Sequence, residues 1–514
     1  MQLMTQILWA IPCACLLVAA WPALRSRATP WFAAEVVLAV AATGSLLSTL
    51  WVISTHAMSD LAGHLVLTLV TTLGWIITRY SRTYLQGERH QSRYLAALLF
   101  TLASISTVIL AQRLDLLTLA WVASSLGLHQ LLTFYDDRAA ALIAAHKKFI
   151  ASRAADACMM VALLLIHYQC GSFYFADLTI YIPASQQPPV LLQVAMLLIV
   201  FAVILKSAQL PVHGWLIQVM EAPTPVSALL HAGIVNIGGF VLIRMAALLD
   251  HTALARVVLV IAGTLTAVFA SLVMMTRISI KVRLAWSTCA QMGFMLMECG
   301  LGWYDLALLH LLAHSLYKAY AFLSAGDTVL LTGRDQLLIV HHANPVSRFI
   351  LAVIAAPLSV TVAGMVILSW SYVLPDVHIS GALLVVFGLG LAPLLWTPGT
   401  IQYRSLWRGI LLQASLTSLY LWWHYLLAGH INITNDGSFA SQNFVIISFA
   451  LLYLVQCWLT CFADSPVARR WYPRVYAGFY LDELFTRLTF LLWPPRMPVA
   501  RREAITREVT RGTV

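Results

Sequence analysis

The sequence has few charged residues for its length. Asp, Glu, Lys and Arg make up 10% of the 514 residues, whereas hydrophobic residues make up 61%. A soluble domain usually contains about 25% charged residues. The composition therefore excludes the soluble globular class and indicates a polytopic membrane protein. The mean hydropathy of +0.83 agrees with that class.

The sequence also lacks paired cysteine motifs. Its eight cysteines are scattered, and no Cys-x-x-Cys pair occurs. Cys13, Cys15, Cys457 and Cys461 lie in apolar helical sequence, where a small packing residue is a better interpretation than a metal ligand or a disulfide. We therefore expect no metal and no cofactor on this chain. The first residues lack the basic stretch that opens a signal peptide, so they are interpreted as the first membrane span.

Apolar stretches long enough to cross a bilayer recur along the chain. About fifteen spans with mostly short connections predict an all-α antiporter-like bundle over residues 1–463, with at least one broken helix. The predicted spans lie near residues 3–23, 31–54, 61–80, 93–113, 115–135, 147–168, 189–218 (the broken one), 226–249, 253–275, 283–301, 303–324, 346–373, 379–396, 405–428 and 442–463.

Residues 464–514 form a basic tail. A short apolar stretch, Tyr480–Trp493, is predicted to be a helix lying in the membrane interface, and the residues from Arg501 onwards are expected to be solvated or bound to a partner. Most of the 31 Lys and Arg residues fall in this tail or in connections that follow odd-numbered spans. This asymmetry predicts an outside N-terminus and a cytoplasmic C-terminus. It also accounts for the net charge of +10 through the lipid surface, without nucleic acid.

The segment Ile199–Arg244 differs from an inert membrane anchor. Lys206 follows seven apolar residues, prolines and Glu221 then interrupt the run, and His231 lies in the apolar helix that follows. A lysine near the middle of a bilayer costs about 2.5–3.5 kcal/mol on insertion scales, so it usually faces protein or water. Broken helices are tolerated there under the same condition. The segment therefore indicates part of an ion pathway.

A second apolar helix carries three ionisable groups. His310, His314 and Lys318 are spaced four residues apart, which places them on one helix face and allows a proton to pass along them through water. The alternative is that each group is separately satisfied and helps to pack the bundle. Lys281 lies at the entrance of the preceding span beside Arg283, where both are typical of cytoplasmic-side anchors.

Arg153 and Asp156 lie three residues apart near a predicted helix start. Their simplest interpretation is a local ion pair or a helix-start acid, and the alternative is a charge coupled to Lys206. Lys147 and Lys148, just before them, are predicted to be surface charges.

A buried lysine can act as a proton switch when its carboxylate partner moves. An apolar environment favours the neutral amine, and a nearby carboxylate favours the ammonium form. Lys206 paired with Asp156, or with Glu221, is predicted to work in this way.

Three motifs resemble the antiporter-like subunits of respiratory complex I and of the multisubunit cation/proton antiporters. They are KSAQLPVHGWLIQVMEAPTPVSALLHAGIVNIGGF (206–240), IKVRLAWSTCAQMGF (280–294) and HLLAHSLYKAYAFLSAG (310–326). The resemblance extends over roughly residues 100–350. FYLDELF (479–485) is similar to a tail motif of the large complex I member.

The resemblance implies a proton path of broken helices, a central row of lysines and histidines, and water. Lys206 matches the lysine of the broken helix, and Lys281 matches the next central lysine. The remaining matched positions are His231 after the PTPVSAL motif, the Arg153 and Asp156 pair, and His310, His314 and Lys318 in the His-rich helix.

The sequence departs from this family in three places. Val122 stands where the family has the glutamate that pairs with the broken-helix lysine. Gly364, Met365, Val366 and Ile367 stand where the later broken helix has a Ser-Lys-Asp-Glu run. No long lateral helix follows the last span. These departures argue against an ordinary complex I subunit.

The shortened, acid-poor pattern is similar to the membrane subunit of the DAB-type dissolved-inorganic-carbon system. That resemblance implies a bacterial inner-membrane protein in a hetero-complex with a large cytoplasmic-side zinc protein (DabA-like) that resembles a β-carbonic anhydrase. Cation flow, most simply of protons, would drive CO2 hydration or bicarbonate uptake by the partner. The alternatives are a proton-pumping subunit of a complex I-like or hydrogenase-linked complex, a cation/proton antiporter, and a scaffold that only anchors its partner.

Overall fold

The structure is a computed structural model. It describes residues 6–24, 30–55, 60–135, 138–178, 188–327, 344–372, 379–396, 403–427 and 437–493. Within these ranges the chain is helical, and the only β-type contact is an isolated bridge between Arg113 and Tyr174. The predicted all-α class is therefore confirmed.

Each of the fifteen predicted spans coincides with a helix. Among the described residues, nine helices are long and apolar enough to cross a membrane by length and composition. The helices are α1 Ala10–Leu24, α2 Trp31–Thr55, α3 Leu61–Tyr84, α4 Gln91–Leu110, α5 Leu114–Leu132, α6 Ala139–Cys170, α7a Val190–Lys206, α7b Gly214–Gln218, α8 Thr224–Arg244, α9 Ala253–Met274, α10 Ile280–Leu301, α11 Tyr304–Leu323, α12 Pro345–Ser371, α13 Gly381–Leu391, α14 Tyr403–Leu427, α15 Phe439–Cys461, α16 Pro466–Tyr476 and α17 Glu483–Leu492.

The predicted broken helix is present. α7a ends at Lys206, and the chain turns through Ala208, whose φ of 51° is left-handed, before α7b begins at Gly214. Pro211 adds a residue that cannot donate a backbone hydrogen bond. α8 is locally widened by a π-helical turn over Leu230–Ile234, a feature that is common at functional sites.

The later departure from the family also has a structural counterpart. α12 runs without a break from Pro345 to Ser371, although Pro357 lies inside it. Gly364 and Met365 are therefore interior helix residues, and this helix provides no broken-helix lysine.

Two glycines allow α9 and α10 to pack backbone against backbone. A Cβ atom at Gly263 would lie 2.5 Å from the Gly293 carbonyl oxygen, and one at Gly293 would lie 2.6 Å from the Gly263 carbonyl oxygen. Such small-residue contacts favour helix association in a bilayer. Gly302, with a φ of 87°, then turns the chain directly from α10 into α11. α10 and α11 thus form a tight antiparallel hairpin.

The helix ends fall on two faces of the bundle. α5 has 19 residues, so its ends are about 28 Å apart at 1.5 Å per residue. At the start of α5, the Leu114 amide donates to the carbonyl of Phe173, which follows the end of α6. The start of α5 and the end of α6 therefore lie on the same face of the bundle. We call the face where α5 ends and α6 begins the tail face, because the C-terminal segment, Pro466–Trp493, packs there.

The C-terminal segment is held by side chains of the bundle. The Trp493 ring stacks on His146 of α6 with ring centroids 4.0 Å apart, and Arg277 donates to the Tyr476 carbonyl at 2.6 Å. α17 lies inside the stretch predicted to be an interfacial helix. It leaves Leu484 and Leu491 exposed. The predicted solvated residues from Arg501 onwards lie outside the described residues.

Candidate functional site

Asp156 lies between two cations in the interior of the bundle. Its Oδ1 is 2.9 Å from Lys206 Nζ at the end of α7a, and its Oδ2 is 2.6 Å from an Arg153 guanidinium nitrogen one turn earlier on α6. The Asp156 side chain is only 7% exposed. Lys206 Nζ also donates to the Trp121 carbonyl at 3.1 Å and lies over the Trp121 ring. One buried carboxylate therefore balances two cations.

This geometry decides between the interpretations left open by the sequence. Arg153 and Asp156 form the local pair, and Asp156 also reaches Lys206. Arg153 and Asp156 lie in the middle of the 32-residue α6, so the expectation that these two residues lie near a helix start is wrong. Glu221 lies 3.9 Å from Arg138, and both side chains are half-exposed. The structure thus brings Asp156, and not Glu221, to Lys206.

The prediction that Lys147 and Lys148 are surface charges is also wrong. Because α6 begins at Ala139, both lysines lie inside it and are buried. Lys147 Nζ lies 2.6 Å from Asp482 of the C-terminal segment and donates to Thr486. Lys148 Nζ donates to the Ser125 carbonyl at 2.6 Å and to the Ser125 hydroxyl at 2.8 Å. Packing of the helices and of the C-terminal segment excludes both lysines from solvent.

His231 and Lys318 lie fully buried on facing helices. His231 is on the π-helical turn of α8, and its ring stacks on Phe322 of α11 at 4.5 Å. Lys318 Nζ donates to the Leu284 carbonyl at 3.0 Å and forms no ion pair with any side chain in the described ranges. A neutral carbonyl leaves the charge of an ammonium uncompensated. Lys318 is therefore a buried lysine whose charge no carboxylate in the described ranges balances.

His310 and His314 continue this row along α11, and their rings lie 5.9 Å apart. His310 Nδ1 is 2.9 Å from Glu298 Oε2 of α10, and Glu298 is fully buried. Sequence analysis missed Glu298. A carboxylate inside the apolar run MGFMLMECGLGW was a sufficient signal, since ionisable groups in such runs are functional candidates by default.

Lys281 lies nearer a helix end than its match to a central lysine implies. It is in the first turn of α10, half-buried, and its Nζ donates to the Thr224 hydroxyl at the start of α8 at 2.8 Å. The contact ties the entrance of α10 to the helix that carries His231. Lys281 therefore lies at the tail-face end of the row.

Several buried polar atoms in this row have no hydrogen-bond partner among the described residues. They are both ring nitrogens of His231 and of His314, Nε2 of His310 and Oε1 of Glu298. Buried polar groups in proteins nearly always bond to protein or to ordered water. Water molecules are therefore the expected partners of these atoms.

A further buried pair joins α11 to α14. Asp305 Oδ2 lies 2.6 Å from His424 Nδ1, and the Trp423 indole donates to the Asp305 carbonyl at 3.0 Å. Sequence analysis also missed this pair, whose members are 119 residues apart. No group of three His, Cys, Asp or Glu side chains that could hold a metal occurs in the described part of the chain.

A bundle with a broken helix and a buried row of lysines and histidines defines an antiporter-like membrane subunit. Residues 111–369 match the family model described as the transmembrane region of NADH:quinone oxidoreductase and Mrp antiporters. The chain belongs to this family, within the group of antiporter-like subunits that includes the relatives named DabB.

Two of these relatives match most of the chain. A protein of Hydrogenovibrio crunogenus named "probable inorganic carbon transporter subunit DabB" is 39% identical over 84% of this chain and 83% of its own length. A Halothiobacillus neapolitanus protein named subunit DabB2 is 37% identical over 85% of this chain and 80% of its own length. NADH-quinone oxidoreductase subunit L of Escherichia coli is 32% identical, over 53% of this chain and 44% of that protein.

Two solved structures share the fold. A chain of the Mrp complex from Dietzia sp. superposes with a TM-score of 0.58 and 22% identity over all of this chain and 59% of that chain. A chain of an archaeal membrane-bound sulfane sulfur reductase gives a TM-score of 0.58 with 15% identity, over 94% of this chain and 99% of that one. The protein is thus a multi-pass membrane subunit of the kind found in inorganic-carbon transporters and ion-translocating complexes.

Proposed function

We propose that this chain is the proton-conducting, energy-coupling subunit of a complex that takes up CO2 or bicarbonate. The observation that carries the proposal is a set of ionisable groups in the bundle interior. His231, Lys318, His314 and Glu298 are buried, Lys206 and His310 are 14% and 11% exposed, and several of their polar atoms have no partner among the described residues. Burying so many ionisable groups is costly in a bilayer. A proton path gives each of them a role.

Asp156 supplies the switch. Its two oxygens contact Lys206 and Arg153 at once. If the carboxylate shifts towards Arg153, Lys206 loses its compensating charge and its neutral form is favoured. The ammonium then releases a proton into the row that leads to Lys318. Movement back towards Lys206 favours uptake of the next proton.

The uptake chemistry is assigned to a partner. The relatives that match most of this chain carry names of inorganic-carbon transporter subunits. We propose that the partner is a large cytoplasmic-side zinc protein related to β-carbonic anhydrases, which would hydrate CO2 to bicarbonate and a proton. The tail face, with the exposed arginines Arg469, Arg470 and Arg474, is the proposed cytoplasmic face.

Growth rescue tests this function. The chain and the protein of the neighbouring gene would be expressed together in a carbonic-anhydrase-deficient bacterium at ambient CO2. We expect the wild-type pair to restore growth and the Lys206→Met and Lys318→Met variants to fail while still reaching the membrane. His167→Gln, an exposed histidine at the opposite end of α6, is the control. Rescue by both lysine variants would support a scaffold and refute conduction.

A second candidate is the membrane subunit of a redox-driven pump. This chain superposes on almost the full length of a chain of the sulfane sulfur reductase, which is a respiratory membrane complex. The shared fold is the observation that supports this candidate. Metal and cofactor analysis of the co-purified complex separates the two candidates. Stoichiometric zinc without flavin, nickel or iron–sulfur clusters supports carbon uptake, and redox centres support the pump.

A further inference from the structure

Two adjacent lysines of α6 have opposite electrostatic surroundings. Lys147 is paired with the carboxylate of Asp482. Lys148, of which only 4% is exposed, has two neutral partners, the carbonyl and the hydroxyl of Ser125. Neutral oxygens orient an ammonium but do not neutralise it. Lys148 is therefore free to lose a proton without breaking an ion pair.

Lys148 shares a small cavity with Lys206. The cavity has a volume of about 30 Å³. Its lining contains both lysines and three serines, Ser124, Ser125 and Ser152, together with apolar residues of α5 and α8. Trp215 also lines this space, and its buried indole N–H has no partner among the described residues. A cavity of at least about 10–15 Å³ with several polar groups can hold a water molecule. One or two water molecules here would join the two amines.

This cavity lies beside the position where the sequence departs from the family. Val122 has no ionisable group, but its neighbours Trp121, Ser124 and Ser125 line the cavity. The family's carboxylate partner for the broken-helix lysine is thus absent from α5. A second amine, Lys148 of α6, faces the same space.

Two histidines continue from Lys148 towards the tail face. His129 lies one turn after Ser125 on α5, with its ring 5.0 Å from Phe149 and 6.3 Å from Trp493. His146 stacks on Trp493, and its Nδ1 lies 3.3 Å from the Trp493 carbonyl. The His129 Nδ1 atom has no partner among the described residues. The groups form a branch that ends under the C-terminal segment.

We infer that Lys148 is a second proton-carrying lysine, which connects Lys206 to the tail face through the shared cavity and His129. In this step protonated Lys148 gives one proton to the cavity water, and that water gives one to neutral Lys206, so that charge moves and no bond to carbon or metal changes. The inference rests on the proposed proton conduction. It adds a route between Lys206 and one face of the membrane.

The experiment measures proton flux in proteoliposomes that contain the full chain with its co-purifying partner. A potassium gradient with valinomycin imposes the membrane potential, and an entrapped pH dye reports the flux. We expect Lys148→Met and Lys148→Arg both to lower the flux at least tenfold. Arginine keeps a charged donor for Ser125 but does not release its proton. If Lys148 were only structural, folded Lys148→Arg protein would conduct like the wild type.

His129→Gln provides an independent test if the Lys148 variants do not fold, and we expect it to lower the flux at least threefold. Arg79→Met and His167→Gln, which remove exposed groups, are the matched controls and should conduct like the wild type. Wild-type flux in Lys148→Arg and in His129→Gln, together with loss of flux in Lys318→Met, would overturn the branch and leave the main path intact. Wild-type flux in Lys318→Met would overturn the proposed function and the branch with it.

Discussion

Lys147 of α6 and Asp482 of the C-terminal segment form an ion pair across 335 residues of sequence, with Nζ 2.6 Å from Oδ2. Lys147 is fully buried, and Gly214 of α7b leaves the space that the carboxylate occupies, since a Cβ atom there would overlap Asp482. The pair joins the C-terminal segment to the helix that carries Arg153 and Asp156.

The first prediction concerns this link. Asp482→Ala leaves the buried Lys147 ammonium without a counter-charge, which should cost about 3 kcal/mol. We expect a lower midpoint of thermal unfolding in detergent and faster proteolysis within residues 466–493. The adjacent Glu483→Ala removes an exposed pair with Arg487 and should cost about 0.5 kcal/mol or less. Equal stability of the two variants would show that the pair does not hold the segment.

The second prediction compares the two members of the Lys206–Asp156 pair. Lys206→Met leaves Asp156 paired with Arg153, so the protein should stay folded while proton flux is lost. Asp156→Ala leaves Lys206, whose side chain is 14% exposed, and the partly exposed Arg153 without a carboxylate, which should destabilise the bundle by about 3 kcal/mol. Thermal unfolding and flux would be measured on both variants. The order of stability contradicts this account if Lys206→Met is the less stable of the two.

The third prediction concerns Glu298, the carboxylate next to His310. Glu298→Gln keeps the shape and a hydrogen-bonding group but cannot take up a proton. We expect the proton flux to fall by about a hundredfold, within the range that a positioned proton-transfer group contributes, with little change in thermal stability. Glu88→Gln, at an exposed position on a connection, is the control. Normal flux in Glu298→Gln would place the path elsewhere.

The fourth prediction tests the close packing of α9 on α10. Gly293→Ala places a methyl group against the Gly263 carbonyl, which cannot move without separating the helices, and should cost about 1–3 kcal/mol. Gly44→Ala, in a helix interior with nothing within 4 Å of the new atom, should be neutral or gain up to about 1 kcal/mol. Thermal unfolding of both variants in one detergent checks the difference, and a stable Gly293→Ala variant would contradict the contact.

Much of the interior row was predictable from sequence. Lys206, His231, His314 and Lys318 stand in apolar runs, and the high cost of exposing them to lipid predicts that they face protein. The same rule applied to Glu298 would have added the carboxylate beside His310. The positions of the fifteen predicted spans, each of which coincides with a helix, follow from the lengths of the apolar runs. The break after Lys206 follows from the proline that comes after it.

Sequence could not decide which partner each charge would find. The sequence around Lys148 and Asp156 is compatible with either the start or the interior of a helix. Only the observed start of α6 at Ala139 shows that both residues lie in the helix interior. Asp305 and His424 meet because α14 packs against α11, and no local pattern connects them.

By itself, the sequence determined that the chain crosses a membrane many times, that one helix is broken and that several ionisable groups lie within the membrane-spanning helices. Hydropathy and proline act locally, so they can be read without knowing the fold. Only the tertiary structure decided that Asp156 is shared by Arg153 and Lys206, that Lys148 and Lys206 face one cavity, and that Asp482 neutralises Lys147. Electrostatic and hydrogen-bond partners depend on distances of a few ångströms between distant segments, which helix packing alone sets.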